Sequence, residues 1–238
     1  MWLILCNVKD TTALWAYRGL KARGLRPLEI ISAEALVYST CLKHRIESNN
    51  VSTRIKLTDG RVLDSVSVRG TLNRIGYLPS EHLLAADSVD RQYAEQELHA
   101  LFVSWLYALP GTVINRSSPQ GLSGAWMHQS KWLWLASQAG LSTPFYRSGA
   151  MIGEDATLPQ LLRQTVIVLA GRCFGAPVPE NVRRGCAKLA QLCQVETLGI
   201  DFKVESNGKW TFASATPVPE IRRGGEPLLD AVVETLIK

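Results

Sequence analysis

The side chains whose types suit chemistry gather near the end of the chain, in TFASATPVPEIRRGG, residues Thr211 to Gly225. Small and β-prone residues run into Pro217 and Pro219, Arg222 and Arg223 follow, and a glycine pair opens a helical segment. Two guanidinium groups in such a loop can grip a carboxylate or a phosphate bidentately. The N-terminus of the next helix adds its dipole to the same anion. The alternative for the arginine pair is a solvated turn. Upstream, GIDF supplies one carboxylate, Asp201, which can hold a cation or be satisfied by solvent or a base. The strand between offers only the hydroxyls of Ser214 and Thr216, and the next acid, Glu220, is already in the loop.

Two further loops follow strand-like segments. In GTLNRIGYLP, Asn73 and Arg74 can face a ligand, because open α/β sheets bind at the carboxyl ends of their strands. The alternative is a structural loop with Arg74 paired to an acid such as Asp90. NRSSPQGLSG, from Asn115 to Gly124, reads equally as ligand contact or linker. His44, His82, His99 and His128 have no visible partner, so no nucleophile–base pair stands out and hydrolase chemistry has no support. Five cysteines occur without a CxxC pair or zinc-ligand spacing, and they read as free, mostly buried thiols in a reducing cytoplasm.

These residues need elements to hold them. WLILCNV is a continuous apolar run, the pattern of a strand buried on both faces. Thr11 or Thr12 can cap a helix through TALWAYRGLKARG, ended by Gly24, and PLEIISAEAL supplies a second strand. Such a β-α-β opening brings its strands parallel. KHRIES, VSTRIKLTDGRVLDS and VSVRGTLNRI alternate polar and apolar residues, with a hairpin signal at Asp59-Gly60. A helix is expected over about residues 87–109, capped by Asp87 or Ser88, with Tyr93, Leu98, Leu101, Phe102, Trp105 and Leu106 at helical spacing. TVIN is a short buried strand.

Then come a helix in MHQSKWLWLASQAG with Gly140 as its cap, a strand-like PFYR, and a polar stretch over 148–163 with one helical turn. QTVIVLAG is a strand, and AGRCFG turns into another. ENVRRGCAKLAQLCQ is an amphipathic helix with Val182, Cys186, Leu189 and Cys193 on one face. Two strands meet at Asn207-Gly208, and GGEPLLDAVVETLIK closes the chain as a helix. Trp132 and Trp134 point to different sides of their helix, one to the core and one to a domain or dimer interface.

The chain of 238 residues can build one large domain or two small ones. Its net charge of +5 is mild and its 26 basic residues are spread along the sequence, which argues against a nucleic-acid partner. MWLILCNVKD is too short in its apolar part for a signal and reads as the first strand. LHALFVSWLYALPG is interrupted by His99 and ended by Pro110, too short to span a bilayer. A cytoplasmic protein without membrane contact is expected.

Three segments together resemble the ATP-grasp superfamily, whose enzymes join a carboxylate to an amine through an acyl phosphate. HQSKWLWLASQAGLSTP, from His128 to Pro144, is similar to the helix–Gly–strand that leads into the nucleotide-binding domain. Val182 to Thr216 is similar to the closing helix and hairpin that hold the metals. The opening domain with EQELHALFVSWLYALPGTVIN resembles the one preceding ATP-grasp domains in ligases of peptides and amino acids. The resemblance implies an α/β chain with a Rossmann-like pre-ATP-grasp domain over 1–115 and a truncated ATP-grasp-like α+β domain over 116–238.

The departures bear on function. In the superfamily the hairpin carries an acid on its first strand and a Glu and an Asn two residues apart on its second. Here Asp201 is kept, but Ser214 stands at the Glu position and Thr216 at the Asn position. Neutral hydroxyls do not replace a carboxylate on magnesium. Between Pro144 and Val166 only about twenty residues stand in for a substantial lid, with no lysine among them. Lys131 is offset from the superfamily's lysine at the start of the helix, so His128 or Gln129 takes that register.

The resemblance therefore implies a shortened, catalytically degenerate member. It would act as a scaffold, an accessory subunit or a ligand- or peptide-binding subunit, weakly nucleotide-binding at most. Weak anion or nucleotide contacts fall to Arg222, Arg223, Lys131, Arg74 and Asn73, and the degenerate metal site to Asp201, Ser214 and Thr216. No cofactor is expected. ATP and magnesium enter only in the alternative, an ATP-dependent carboxylate–amine (peptide) ligase with an altered or partner-completed site. A third reading is a sensor of a small anion. Expected partners are a protein partner or a second copy in a homodimer, and a peptide or small anionic ligand.

Overall fold

The computed structural model describes residues 1–144 and 162–238. PFYR beyond Pro144, most of the 148–163 stretch and the place where a lid was expected to be shortened lie outside the described residues. The chain divides into two units, 1–125 with 229–238, and 126–228.

The first unit is built on a parallel sheet of order β2-β1-β6-β7, from β1 (Trp2–Cys6), β2 (Leu28–Ser32), β6 (Gly70–Asn73) and β7 (Thr112–Ile114). Leu3, Ile4 and Leu5 are wholly buried, as a central strand covered on both faces requires. Helix α1 (Thr11–Ala22) is capped by Asp10, whose side chain accepts from the Ala13 amide, rather than by Thr11 or Thr12. Gly24 ends it at φ +88°. Leu229 packs against Gly19 at a point where a Cβ would collide with it.

After the short helix α2 (Ala33–Val37) come β3 (Cys41–Glu47), β4 (Asn50–Lys56) and β5 (Val62–Asp64), an antiparallel sheet of order β3-β4-β5. Gly60, at φ +88°, makes the expected β4–β5 turn. The alternation expected through VSVRGTLNRI does not persist. Ser65–Ser67 form a 3-10 turn, and all four residues of β6 are buried. With both faces of β6 covered the strand has no solvent face, so strict alternation has no physical basis there.

Helix α3 (Ser88–Tyr107) starts at Asp87, which accepts from the Val89 and Asp90 amides. It buries Phe102, Trp105 and Leu106, while Tyr93 is exposed. Gly111, before β7, holds φ +68°, and a Cβ there would meet the Arg69 carbonyl. Gly111→Ala is therefore expected to cost roughly 2 kcal/mol or more, read as a lower urea midpoint at unchanged slope.

The second unit opens with α4 (Gln129–Gln138), capped by His128, whose Nδ1 accepts from the Ser130 amide at 3.3 Å. Its sheet, of order β11-β10-β8-β9, is antiparallel and contains β8 (Leu162–Leu169), β9 (Arg172–Gly175), β10 (Thr197–Val204) and β11 (Trp210–Thr216). Helix α5 (Glu180–Cys193) buries Val182, Cys186, Leu189 and Cys193, and with Trp132 and Leu133 of α4 it joins a core containing Val168, Ile200, Phe202 and Phe212. Trp132 is in that core and Trp134 is 59% exposed. Helix α6 (Gly225–Ile237) ends the chain. Among the described residues no helix is long and apolar enough to cross a membrane.

Candidate functional site

Period-two alternation sets the site in the second unit. Ile200 and Phe202 of β10 point into the core, so Asp201 and Lys203 lie on the other face. Register places Thr165 of β8 and Ser214 of β11 on either side of Asp201, and Arg163 beside Lys203. The Asp201 carboxylate is closed by hydroxyls. Thr165 Oγ1 donates to Oδ1 at 2.7 Å, and Ser214 Oγ donates to Oδ2 at 3.1 Å. Arg223 Nη1 donates to Thr165 Oγ1 at 3.0 Å, which puts a cation one hydroxyl away from the acid. Gly175 lets the Arg223 backbone approach, since a Cβ there would stand 2.9 Å from the Thr165 carbonyl oxygen and 3.3 Å from that of Arg223.

A cavity of about 530 Å³ opens over this face, lined among others by Gln129, Arg163, Asp201, Lys203, Thr211 and Ser214. Gln129 Nε2 donates to the Ala213 carbonyl at 2.8 Å. Thr211 Oγ1 is buried with no hydrogen-bond partner among the described residues. Neither Arg163 nor Lys203 forms an ion pair among the described residues. Among the described residues three cations thus stand around one carboxylate, a positive balance suited to an anion.

The other expected residues are placed differently. Arg222 closes a bidentate pair with Glu220, Nε to Oε1 at 2.8 Å and Nη2 to Oε2 at 2.7 Å. In the 3-10 turn Ile221–Gly224 adjacent side chains diverge, so the two arginines do not form one clamp. Thr216 Oγ1 accepts from the Val218 amide at 3.2 Å and shapes the following turn. Lys131 is exposed on α4 and does not line the cavity, whereas Gln129 does.

Asn73 and Arg74 belong to the first unit. Asn73 is buried, donating to the Asn115 and Leu122 carbonyls at 3.0 and 2.7 Å. Arg74, 6% exposed, pairs with Asp10 at 2.8 Å rather than with Asp90. Parallel pairing of β1 with β6 brings the residues following the two strands together, and Asp10 follows β1. Thr165, Arg163 and Lys203 went unnoticed in the sequence. Their signal was the polar spacing in RQTV and DFK, two apart beside apolar neighbours.

The cysteines are free, with Cys6, Cys186 and Cys193 buried. Burial first, then the Asp10 charge, pushes the Cys6 thiol up to about 12, and burial does the same for Cys193. Such thiols are not nucleophiles at neutral pH.

Neither a family model nor a curated protein sequence matches the chain. Solved structures do. The macrocyclase MdnC bound with precursor peptide MdnA, from Microcystis aeruginosa MRC, superposes with a TM-score of 0.75 at 14% identity, over 99% of both chains. A Chryseobacterium gregarium RiPP-associated ATP-grasp ligase, in complex with ADP and a leader and core peptide, gives 0.69 at 10% identity, over 99% of this chain and 94% of that one. The ATP-grasp ligase PsnB, complexed with minimal precursor, Mg and ADP, gives 0.68 at 16% identity, over 100% and 98%. The chain has the ATP-grasp fold.

An ATP-grasp fold implies magnesium between protein carboxylates and nucleotide phosphates, and the donors that the described residues offer on this face do not fit that ion. Among the described residues Asp201 is the one carboxylate lining the cavity, and each of its oxygens already accepts a hydrogen bond from a hydroxyl. Magnesium seeks anionic oxygens in octahedral array. Among the described residues no three His, Cys, Asp or Glu side chains converge.

Proposed function

We propose that this chain is an ATP-grasp-fold protein without magnesium-dependent phosphoryl transfer, acting as an accessory, peptide-binding subunit. The supporting observation is the closure of Asp201 by Thr165 and Ser214, where a metal site would need further carboxylates. The short segment in place of the lid supports the same reading, as no lysine occurs between Pro144 and Val166. A peptide role draws on the solved relatives, described with precursor or leader peptides bound. The cationic face would take an anionic group directly, through Arg163, Lys203 and Arg223.

A second reading is an ATP-dependent peptide ligase whose site is altered or completed by a partner. It is favoured by the retained Asp201 with cations beside it, since these can stabilise charge on a transferred phosphoryl group.

Thermal unfolding with ATP, ADP and AMP, each with and without magnesium, separates the two. A ligand that binds the folded state raises the midpoint by mass action. The expected result is no difference between magnesium and its absence, and no ADP formed. A shift that appears only with ATP and magnesium together overturns the accessory reading in favour of the ligase.

A further inference from the structure

Away from that site, the β3-β4-β5 sheet shows two features that fit one ligand. Its inner face packs Leu42, Ile55 and Leu63 toward the core of the first unit, with His44 bonded to Thr53 at 2.7 Å and to Ser104 at 2.9 Å. Alternation then places Lys43 and Arg45 of β3, with Arg54 and Lys56 of β4, on the outer face, and all four are exposed. Register sets Lys43 directly opposite Arg54. Like charges in direct opposition destabilise a sheet. None of the four forms an ion pair among the described residues. The acids on that face are Glu47 at the hairpin end and Asp64 opposite Arg54, and Asp64 Oδ1 is engaged by the Val66 amide at 3.1 Å.

The second feature is the edge. Among the described residues β3, seven residues long, pairs only with β4, so its other side presents unpaired backbone groups. Cations on an edge strand commonly guard against pairing with another chain. That accounts for Lys43 and Arg45 but not for Arg54 and Lys56, which stand on the central strand and have no edge to guard.

We propose that this face and edge bind an extended acidic peptide, added as a further strand beside β3. Acids two residues apart on an added strand fall on one face, with the spacing of Lys43 and Arg45. Cross-strand neighbours stand about 5 Å apart, within reach of a charge pair. The backbone ladder gives the peptide its affinity and the cations select its sign. A nucleic acid would use the charge but not the ladder. The proposal names the chemistry of the peptide in the reading above. It rests on the first unit alone, so a failed nucleotide experiment leaves it standing, and the reverse also holds.

The test uses the full chain and a labelled peptide of alternating glutamate and threonine, about ten residues long so as to outspan β3. Fluorescence anisotropy should show binding that weakens as salt is added. Lys43→Glu/Arg45→Glu should weaken it about tenfold or more, because two attractions become repulsions. That variant places a carboxylate opposite Arg54, so the sheet is not expected to suffer, and an unchanged circular dichroism spectrum checks this. The same peptide N-methylated at alternate residues on its pairing edge should not bind. Equal binding of a lysine–threonine peptide, an unaffected charge variant, or full binding of the N-methylated peptide overturns the proposal. So does tighter binding of a single-stranded oligonucleotide, or dimerisation of the chain through this edge.

Discussion

Arg74→Ala is expected to lower the unfolding free energy by roughly 3–5 kcal/mol, the loss typical when one partner of a buried ion pair is removed. Arg74 and Asp10 are both sheltered, at 6% and 14% side-chain exposure, with Nε to Oδ2 at 2.8 Å and Nη2 to Oδ1 at 3.3 Å. Asp10 also caps α1, accepting from the Ala13 amide at 3.0 Å. Truncating the arginine leaves the sheltered Asp10 carboxylate without this counter-charge at the start of α1, beyond the ends of two parallel strands. The measurement is urea unfolding, with Asp10→Ala and the double variant completing a cycle. The double variant should cost clearly less than the two single losses combined, because the carboxylate that Arg74→Ala strands is then absent too. Additive losses would mean that the pair contributes packing rather than charge compensation.

Ser214→Glu is expected to convert the hydroxyl-closed carboxylate into a cation site. Without metal, two carboxylates would face each other across β10 and β11, and ionising both costs about 1–2 kcal/mol. The melting temperature should therefore fall in chelator. Magnesium should restore it, since paired carboxylates are what the ion seeks. Ser214→Ala, which removes a donor to Asp201 without adding charge, should stay indifferent to magnesium. Titration calorimetry with magnesium alone reads the difference. A Ser214→Glu protein that ignores magnesium would refute the idea that Ser214 occupies the place of a lost ligand.

Much of the fold was legible from local patterns. WLILC reads as a buried strand because no polar residue interrupts it, and β1 is one. Asp87 reads as a cap because its carboxylate suits free helix amides, and it accepts two of them. Asn207-Gly208 reads as a turn because glycine tolerates the left-handed region, and Gly208 holds φ +81°. These are interactions between residues a few positions apart, so the residue types alone carry them.

Partnerships across long separations were not legible. Arg74 read either as a ligand contact or as paired to an acid such as Asp90, yet parallel pairing of β1 and β6 delivered Asp10, 64 positions away. Arg222 and Arg223 are neighbours in the chain, but a tight turn sends one to Glu220 and the other to Thr165. Lys43 and Arg45 read as dispersed charges until antiparallel register set Lys43 against Arg54 and made a cationic face. Asp201 was visible as a lone acid on a strand, while the hydroxyl of Thr165 that closes it comes from a strand 36 positions earlier. Composition and periodicity set which side chains point inward or outward on each strand. Which of those side chains then meet depends on strand order and register, a collective outcome of burying the two cores that no short window of residues contains.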